Sequence, residues 1–227
     1  MKIGILLTGH VPDEMQAEHG AFPNMFAKLL DGYGFDFETY AVVDGVFPDS
    51  PEVCDGWLVT GSKHGVYEDH PWIPPLENLI RQIYAQGVPM IGVCFGHQIM
   101  AQALGGKVEK FGGVWGVGNR EYTHEDGTTT TLLAMHQDQV VEAPPEATTT
   151  ATSDYCKFAG FSYKGNAMSI QPHPEFTPEF MEELIKVRAG SLIPNDQADP
   201  AMESLDQEND SVRFAEQMAT FFRTSAN

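Results

Sequence analysis

The chain has 227 residues, of which 42% are hydrophobic, and it carries a formal net charge of −19. This length allows one domain with a full core, and we expect a single domain over residues 1–227. Its core is expected at about 2–188, followed by a C-terminal loop and helix at 189–227. Because the acidic surface repels phosphate groups, the composition predicts neither nucleic acid nor membrane as a partner.

Localisation is predicted from segments that the sequence lacks. No run of about 18 apolar residues is present, so no membrane span is predicted. The short apolar stretch at the N-terminus lacks the features of a secretory signal. Cys54, Cys94 and Cys156 are odd in number and widely spaced, which is typical neither of a disulfide framework nor of a CxxC metal site. A reduced, cytoplasmic compartment is therefore expected.

Short apolar runs alternate with segments of helical spacing along the first half of the chain. Strands are predicted at 2–7, 35–42, 56–60, 90–93 and 167–171, and helices at 21–31, 75–86, 95–104, 177–188 and 211–223. This alternation predicts an α/β fold with a doubly wound, mostly parallel sheet flanked by helices.

The second half of the chain has a different pattern. Short strands predicted at 107–118, 128–133, 139–141 and 148–153 indicate a small antiparallel extension of the sheet. The polar, acidic and proline-bearing segment 193–209 is predicted to be a loop or lid. Its acidic part, 196–210, is expected to be solvated, with a cap over the active site or a partner contact as the alternative.

The most informative segment of the chain is the run 89–96, which has the sequence P-M-I-G-V-C-F-G. It predicts a buried strand, then a cysteine between glycines, then the start of a helix. Such a turn lifts one side chain above the sheet and requires small neighbours because the backbone is crowded. A helix N-terminus also favours the thiolate form of cysteine, so Cys94 is a candidate nucleophile, with a buried structural cysteine as the alternative.

A nucleophilic cysteine needs a base, and His173 is the best candidate. It follows the predicted strand 167–171, so it is expected at the same carboxyl edge of the sheet as Cys94. Glu175 can accept a hydrogen bond from the imidazole and stabilise its cation. For the oxyanion of an acyl-transfer intermediate, we expect the backbone amides of Phe95 and Gly61 as donors.

Residues 92–98, G-V-C-F-G-H-Q, together with the H-P-E of residues 173–175, closely resemble class I (triad) glutamine amidotransferases. The family pattern is G-x-C-x-G-x-Q followed by H-P-E, and both parts match without gaps. The resemblance covers about residues 2–180. Many family members carry P-G-G-P where this chain has T-G-S-K at 60–63. The segment 62–69 is also unlike the biosynthetic members and resembles a branch of stand-alone, guanylate-synthetase-like amidotransferase proteins.

The resemblance implies a flavodoxin-like domain that hydrolyses the side-chain amide of glutamine through a γ-glutamyl thioester, with Cys94, His173 and Glu175 as the triad. It also implies that Gln98 helps hold the substrate. Residues 135–138 match the loop whose backbone grips the α-amino and carboxylate groups, which makes His136 and Asp138 candidate substrate contacts. A solvated turn is the alternative for these two.

The sequence leaves the substrate and the partner open. No ATP-binding fingerprint is found, so either a synthetase subunit accepts the ammonia, or the protein is a free-standing hydrolase of γ-glutamyl amines or peptides. A catalytically idle module that binds γ-glutamyl metabolites is a further alternative. No cofactor is expected. The eight histidines are not spaced as ligands on one element, so no metal site is predicted.

Overall fold

The computed structural model describes residues 1–112, 114–164 and 166–225. Its main sheet has nine strands in the order β2-β1-β3-β4-β11-β10-β9-β6-β7, and β5 pairs with β8 in a separate two-stranded sheet. The strands are β1 (Lys2–Leu6), β2 (Asp36–Tyr40), β3 (Gly56–Val59), β4 (Met90–Val93), β5 (Lys107–Lys110), β6 (Gly116–His124), β7 (Thr129–His136), β8 (Asp138–Glu142), β9 (Ala147–Thr152), β10 (Gly160–Tyr163) and β11 (Ala167–Ile170).

Seven α-helices are found in the described residues. They are α1 (Asp13–His19), α2 (Phe22–Leu29), α3 (Ile73–Gln86), α4 (Phe95–Ala103), α5 (Pro178–Arg188), α6 (Asn195–Ser204) and α7 (Ser211–Ser225). In this described part of the chain, no helix combines the length and the apolar character needed to cross a membrane.

The predicted fold class is confirmed. Strands β2, β1, β3, β4 and β11 pair in parallel, as expected of a doubly wound sheet. Beyond β11 the pairing becomes antiparallel through β10, β9, β6 and β7. The antiparallel extension is therefore continuous with the main sheet, and β5 and β8 form a smaller sheet beside it.

Alternation of side chains along the central strands produces a core on each face of the sheet. In β3, Trp57 and Val59 pack on the face covered by α3 and α4, whereas Leu58 packs on the opposite face. The opposite face is covered by α2 and α7, whose Phe26 and Phe222 are fully buried. Both faces are covered by helices, which is why the central strands are almost continuously apolar.

The structure differs from the sequence-based prediction at the predicted strand 107–118, and it contains two elements, α1 and β10, that were not predicted. The predicted strand 107–118 is divided between β5 and β6, which belong to different sheets, and residue 113 within it lies outside the described residues. Helix α1 and strand β10 were not predicted: α1 buries only Met15, and β10 has only four residues, too few to show a clear period. Residues 226 and 227 of the predicted C-terminal segment are also outside the described residues.

The prediction of a loop over 193–209 is wrong, because α6 occupies residues 195–204. This helix buries Ala198 and Ala201, and its end is held by the side chain of Asn119 on β6. The Asn119 amide donates to the carbonyl oxygens of Ser204 and Gln207, at 2.9 and 3.0 Å. Contacts with the sheet thus stabilise a helix whose own sequence is acidic and proline-bearing.

Close packing of α4 on β3 generates a stability prediction. A Cβ atom built on Gly96 would lie 2.2 Å from the carbonyl oxygen of Val59, which is backbone and cannot rotate away. We expect Gly96→Ala to lower the free energy of unfolding by about 1–3 kcal/mol or more in urea denaturation. Gly112→Ala is the control, since nothing lies within 4 Å of a Cβ built there. Equal midpoints for the two variants would contradict the packing argument.

Candidate active site

Cys94 lies in the sharp turn between β4 and α4. Its backbone has φ 54° and ψ −104°, and it is the one non-glycine residue with positive φ in the described part of the chain. The turn is possible because its flanking glycines have no side chains: a Cβ on Gly92 would lie 2.5 Å from the carbonyl oxygen of Gly96. The Cys94 amide donates to the carbonyl of Ile170 at 2.9 Å, which ties the turn to the end of β11.

The Cys94 side chain is only 4% exposed, so it is less accessible than a side chain aimed at solvent. It borders a cavity of about 440 Å³ that also contacts Gln98, Tyr67, His136 and Asp138. The cavity is large enough for a small ligand. Cys94 therefore borders a partly open cavity at the N-terminus of α4.

His173 follows β11, the strand that pairs in parallel with β4. Its backbone amide donates to the carbonyl oxygen of Leu133 at 2.7 Å, and its Nδ1 lies 2.7 Å from Oε1 of Glu175. The imidazole stacks on the ring of Phe176, with centroids 3.9 Å apart and planes 5° apart. Three contacts thus fix the position and the plane of a buried ring.

The electrostatic environment of His173 favours the imidazolium form. Burial by itself lowers the pKa of the ring, but the negative charges of Glu175 and Cys94 and hydrogen bonds to both raise it, to about 10. Cys94 is among these causes, and Gly61 lies against both side chains.

Gly61 lies against both Cys94 and His173. A Cβ atom on Gly61 would be 2.8 Å from Cε1 of His173 and 3.6 Å from Cβ of Cys94. The preceding carbonyl, of Thr60, accepts hydrogen bonds from the Gly96 amide and the Thr8 hydroxyl, at 3.1 and 2.9 Å. In a trans peptide the N–H points opposite to that carbonyl, so the Gly61 amide points away from these two donors.

The other predicted oxyanion donor, the backbone amide of Phe95, directly follows Cys94 in the chain. Phe95 is the first residue of α4, where backbone amides have no intrahelical acceptor. Within residues 1–112, 114–164 and 166–225, neither the Phe95 amide nor the Gly61 amide has a hydrogen-bond acceptor. Both donors are therefore available to a ligand near Cys94.

The predicted substrate contacts form a network of their own. The side-chain amide of Gln98 donates to the carbonyl of Asp138 at 2.8 Å and to Oε1 of Gln171 at 3.1 Å, so its donors are used within the protein. Nδ1 of His136 lies 3.1 Å from the same Asp138 carbonyl. Burial lowers the pKa of His136 to about 3, which makes the ring neutral. The Asp138 carboxylate accepts from the Tyr67 hydroxyl at 3.0 Å.

A second cavity, of about 370 Å³, shares several lining residues with the first. It contacts Gly61 and His173 but not Cys94, and its walls include Phe22 and Phe180. Lys63 and Arg188 line both cavities. Sequence analysis missed Arg188, because a basic residue in the last turn of a helix is ordinary in a sequence.

Two histidines are closer together than the sequence suggested. His64 and His70 have ring centroids 4.3 Å apart, and Glu68 lies 3.3 Å from the first ring and 2.8 Å from the second. This group, like that of Glu18, His19 and Glu183, has the atoms to hold a metal ion. Carboxylate–imidazole contacts explain both groups without an ion, and the expectation of no metal site stays a prediction.

The family profile of Glutamine amidotransferase class-I matches the chain over residues 51–187. That span is more than half of the chain and includes Gly61, Cys94, His173 and Glu175. The chain belongs to this family. The resemblance based on residues 92–98 and 173–175 is thereby confirmed.

Individual relatives are consistent with this assignment. Gamma-glutamyl peptidase 4 of Arabidopsis thaliana is 28% identical over 220 residues, which are 90% of this chain and 88% of the relative. A glutamine-hydrolysing GMP synthase of Streptococcus pneumoniae is 32% identical over 133 residues, which are 53% of this chain and 24% of the relative. These similarities support an enzyme with a γ-glutamyl hydrolase or amidotransferase type of role.

Solved structures support the fold. A glutamine amidotransferase from Methylobacillus flagellatus superposes with a TM-score of 0.78, at 20% identity, covering 100% of this chain and 93% of that structure. A glutamine amidotransferase from Thermotoga maritima has a TM-score of 0.76 at 19% identity, covering 100% and 98%. The flavodoxin-like architecture predicted for the chain is thus found in solved members of the same class.

The raised pKa of His173 predicts a pH profile. Since the folded-state pKa is above the ordinary value, the imidazolium persists through neutral pH and is lost only as the pH rises through about 10. We expect kcat/KM for a γ-glutamyl substrate to decline only above about pH 9. In Glu175→Gln the negative charge is removed, so the alkaline limb should move to lower pH and kcat should fall.

The measurement is kcat/KM from pH 6 to 11 for both proteins, with circular dichroism at each pH to establish that they remain folded. Glu179→Gln is a matched control, since Glu179 is a carboxylate at the start of α5 that is not in contact with His173. An alkaline limb that is identical in wild type and Glu175→Gln would contradict this electrostatic account.

Proposed function

We propose that the protein is a cysteine hydrolase of γ-glutamyl amides, with Cys94 as nucleophile, His173 as acid and base, and Glu175 as its orienting carboxylate. The observation that carries the proposal is the juxtaposition of Cys94, His173 and Gly61 at the border of two cavities. A nucleophile, a proton carrier and a free amide donor in contact are what acyl transfer requires.

In the first half of the reaction, the Cys94 thiolate attacks the γ-carbonyl carbon and forms a tetrahedral oxyanion. The amides of Gly61 and Phe95 donate hydrogen bonds to this oxygen. The His173 imidazolium gives its proton to the amide nitrogen, the carbon–nitrogen bond breaks, and the amine or ammonia leaves. A γ-glutamyl thioester on Cys94 and a neutral His173 remain.

In the second half, neutral His173 takes a proton from water while the water oxygen attacks the thioester carbon. The carbon–sulfur bond then breaks, which releases glutamate and restores the thiolate and the imidazolium. The role of Glu175 in both halves is to hold Nδ1–H of His173 and to stabilise the cation. Its contact at 2.7 Å supports this role.

The γ-glutamyl half of the substrate is assigned to the cavity beside Cys94. Asp138 and the neutral His136 border that cavity, and backbone groups there can orient the α-amino and α-carboxylate groups. Gln98 acts on the ligand indirectly. Its side-chain amide donates a hydrogen bond to the Asp138 carbonyl and so positions the loop that contacts the ligand. This refines the substrate contact expected from the family resemblance.

Two substrate classes fit the same chemistry, namely glutamine and γ-glutamyl peptides or amines. The cavity on the His173 side supports the second class, because it offers room for a leaving group larger than ammonia. The similarity to γ-glutamyl peptidases over most of the chain also supports it. Transfer of ammonia to a synthetase subunit remains the second candidate, which the GMP synthase relative favours.

Substitution of the nucleophile tests the reaction directly. We expect Cys94→Ser and Cys94→Ala to lower kcat at least about 10³-fold on glutamine and on γ-glutamyl peptides, because no thioester can form efficiently. Released glutamate is the measurement. Cys54→Ser is the matched control, since that cysteine is buried at the far side of Trp57 and should tolerate replacement without loss of turnover. Full turnover in either Cys94 variant would disprove the assignment.

Selective labelling tests the reactivity of the thiol. Burial raises the pKa of Cys156 to about 12 and raises the pKa of Cys54, so both are thiols at neutral pH. A chloroketone or diazoketone analogue of glutamine should therefore modify Cys94 alone, as read by peptide mass spectrometry. Modification of Cys54 or Cys156 at the same rate would count against an activated Cys94. An idle binding module would retain the fold but show neither labelling nor turnover.

A further inference from the structure

We propose that Arg188 binds the free carboxylate of the leaving amine, which makes it a specificity-determining residue for γ-glutamyl peptides over glutamine. The inference rests on the proposed function and names the substrate class of that site. It is carried by the position of Arg188, which lines both cavities, and by the fact that no described residue pairs with its side chain.

The backbone of Arg188 is firmly held at the end of α5. Its carbonyl oxygen accepts hydrogen bonds from the amides of Leu192 and Ile193, at 2.9 and 3.0 Å. The residue is partly buried, and it lines both the cavity that contains Cys94 and the cavity that contains His173. A side chain that starts from a fixed helix end and contacts both cavities is well placed to touch a ligand that extends across them.

No carboxylate of the described residues pairs with the guanidinium group of Arg188. By contrast, Lys186 on the same helix pairs with Glu182. Burial lowers the pKa of Arg188, and electrostatic interaction with Cys94 raises it. A partly desolvated cation that no described residue pairs with, in a chain of net charge −19, is a binding site for an anion.

The chemistry at His173 determines which anion this is. The leaving nitrogen must approach His173 to receive its proton, so the leaving group occupies the cavity on that side. Phe22, Phe180 and Leu184 line this cavity and can contact an amino-acid side chain. Lys63 lines it as well, and Asp13 adds a negative charge there, so the lining is not uniformly positive.

An amino acid or short peptide linked through its nitrogen to the γ-glutamyl group carries a carboxylate that Arg188 can bind with two parallel hydrogen bonds. Ammonia, the leaving group of glutamine, carries none. Arg188 therefore discriminates between leaving groups rather than between γ-glutamyl halves. The expected substrate class is a γ-glutamyl peptide with a free C-terminal carboxylate.

The test compares γ-glutamyl-alanine with γ-glutamyl-alaninamide, which differ only in the terminal carboxylate. We expect wild-type kcat/KM to be about 10- to 100-fold higher for the free acid, the range of a charge-assisted hydrogen bond. In Arg188→Gln this ratio should fall to near one, and Arg188→Lys should restore part of it. Lys186→Gln, a neutralisation on an exposed position of the same helix, should keep the wild-type ratio.

The outcomes separate this inference from the proposed function. A wild-type ratio near one, or an equal loss on both substrates in Arg188→Gln, would overturn the role of Arg188 and leave the hydrolase in place. The equal loss would mean that Arg188 acts on the γ-glutamyl half or on the fold. Wild-type protein that hydrolyses neither compound, and whose Cys94 is not labelled by the glutamine analogue, would overturn the hydrolase itself.

Discussion

The strained backbone at Cys94 is the constraint on which the rest of the site depends. A positive φ at a residue with a side chain is unfavourable, so surrounding contacts must hold it. Here the contacts are the approach of Gly96 to Val59 and the hydrogen bond from Cys94 to Ile170, which bind the turn to strands on both sides. The candidate nucleophile is thus positioned by strands at the centre of the sheet.

Charge is distributed unevenly between the surface and the site. The chain is strongly acidic, yet Arg188 and Lys63 line both cavities and His173 lines one of them. Charges that are partly buried interact more strongly because less water screens them. The local arrangement of charge around the cavities therefore differs from the net charge of the chain.

The sequence predicted the parts of the structure that are encoded locally. The central parallel strands, the turn at Cys94 and the H-P-E segment all follow from apolar runs and short motifs. Helix α6 was missed because Pro200 and several acidic residues disfavour a helix, whereas burial of Ala198 and Ala201 and hydrogen bonds from Asn119 on β6 stabilise it. Arg188 was missed because the two cavities that it lines are formed only by the folded chain.

The order of the strands has a consequence for the newly made chain. Cys94 and His173 end neighbouring strands, but β5 to β10 are synthesised between them, and β11 is the last strand to be made. Until β11 lies between β4 and β10, Cys94 has no imidazole beside it. The candidate site is therefore completed only when the central sheet is complete, so a chain without β11 in place cannot bring Cys94 and His173 together.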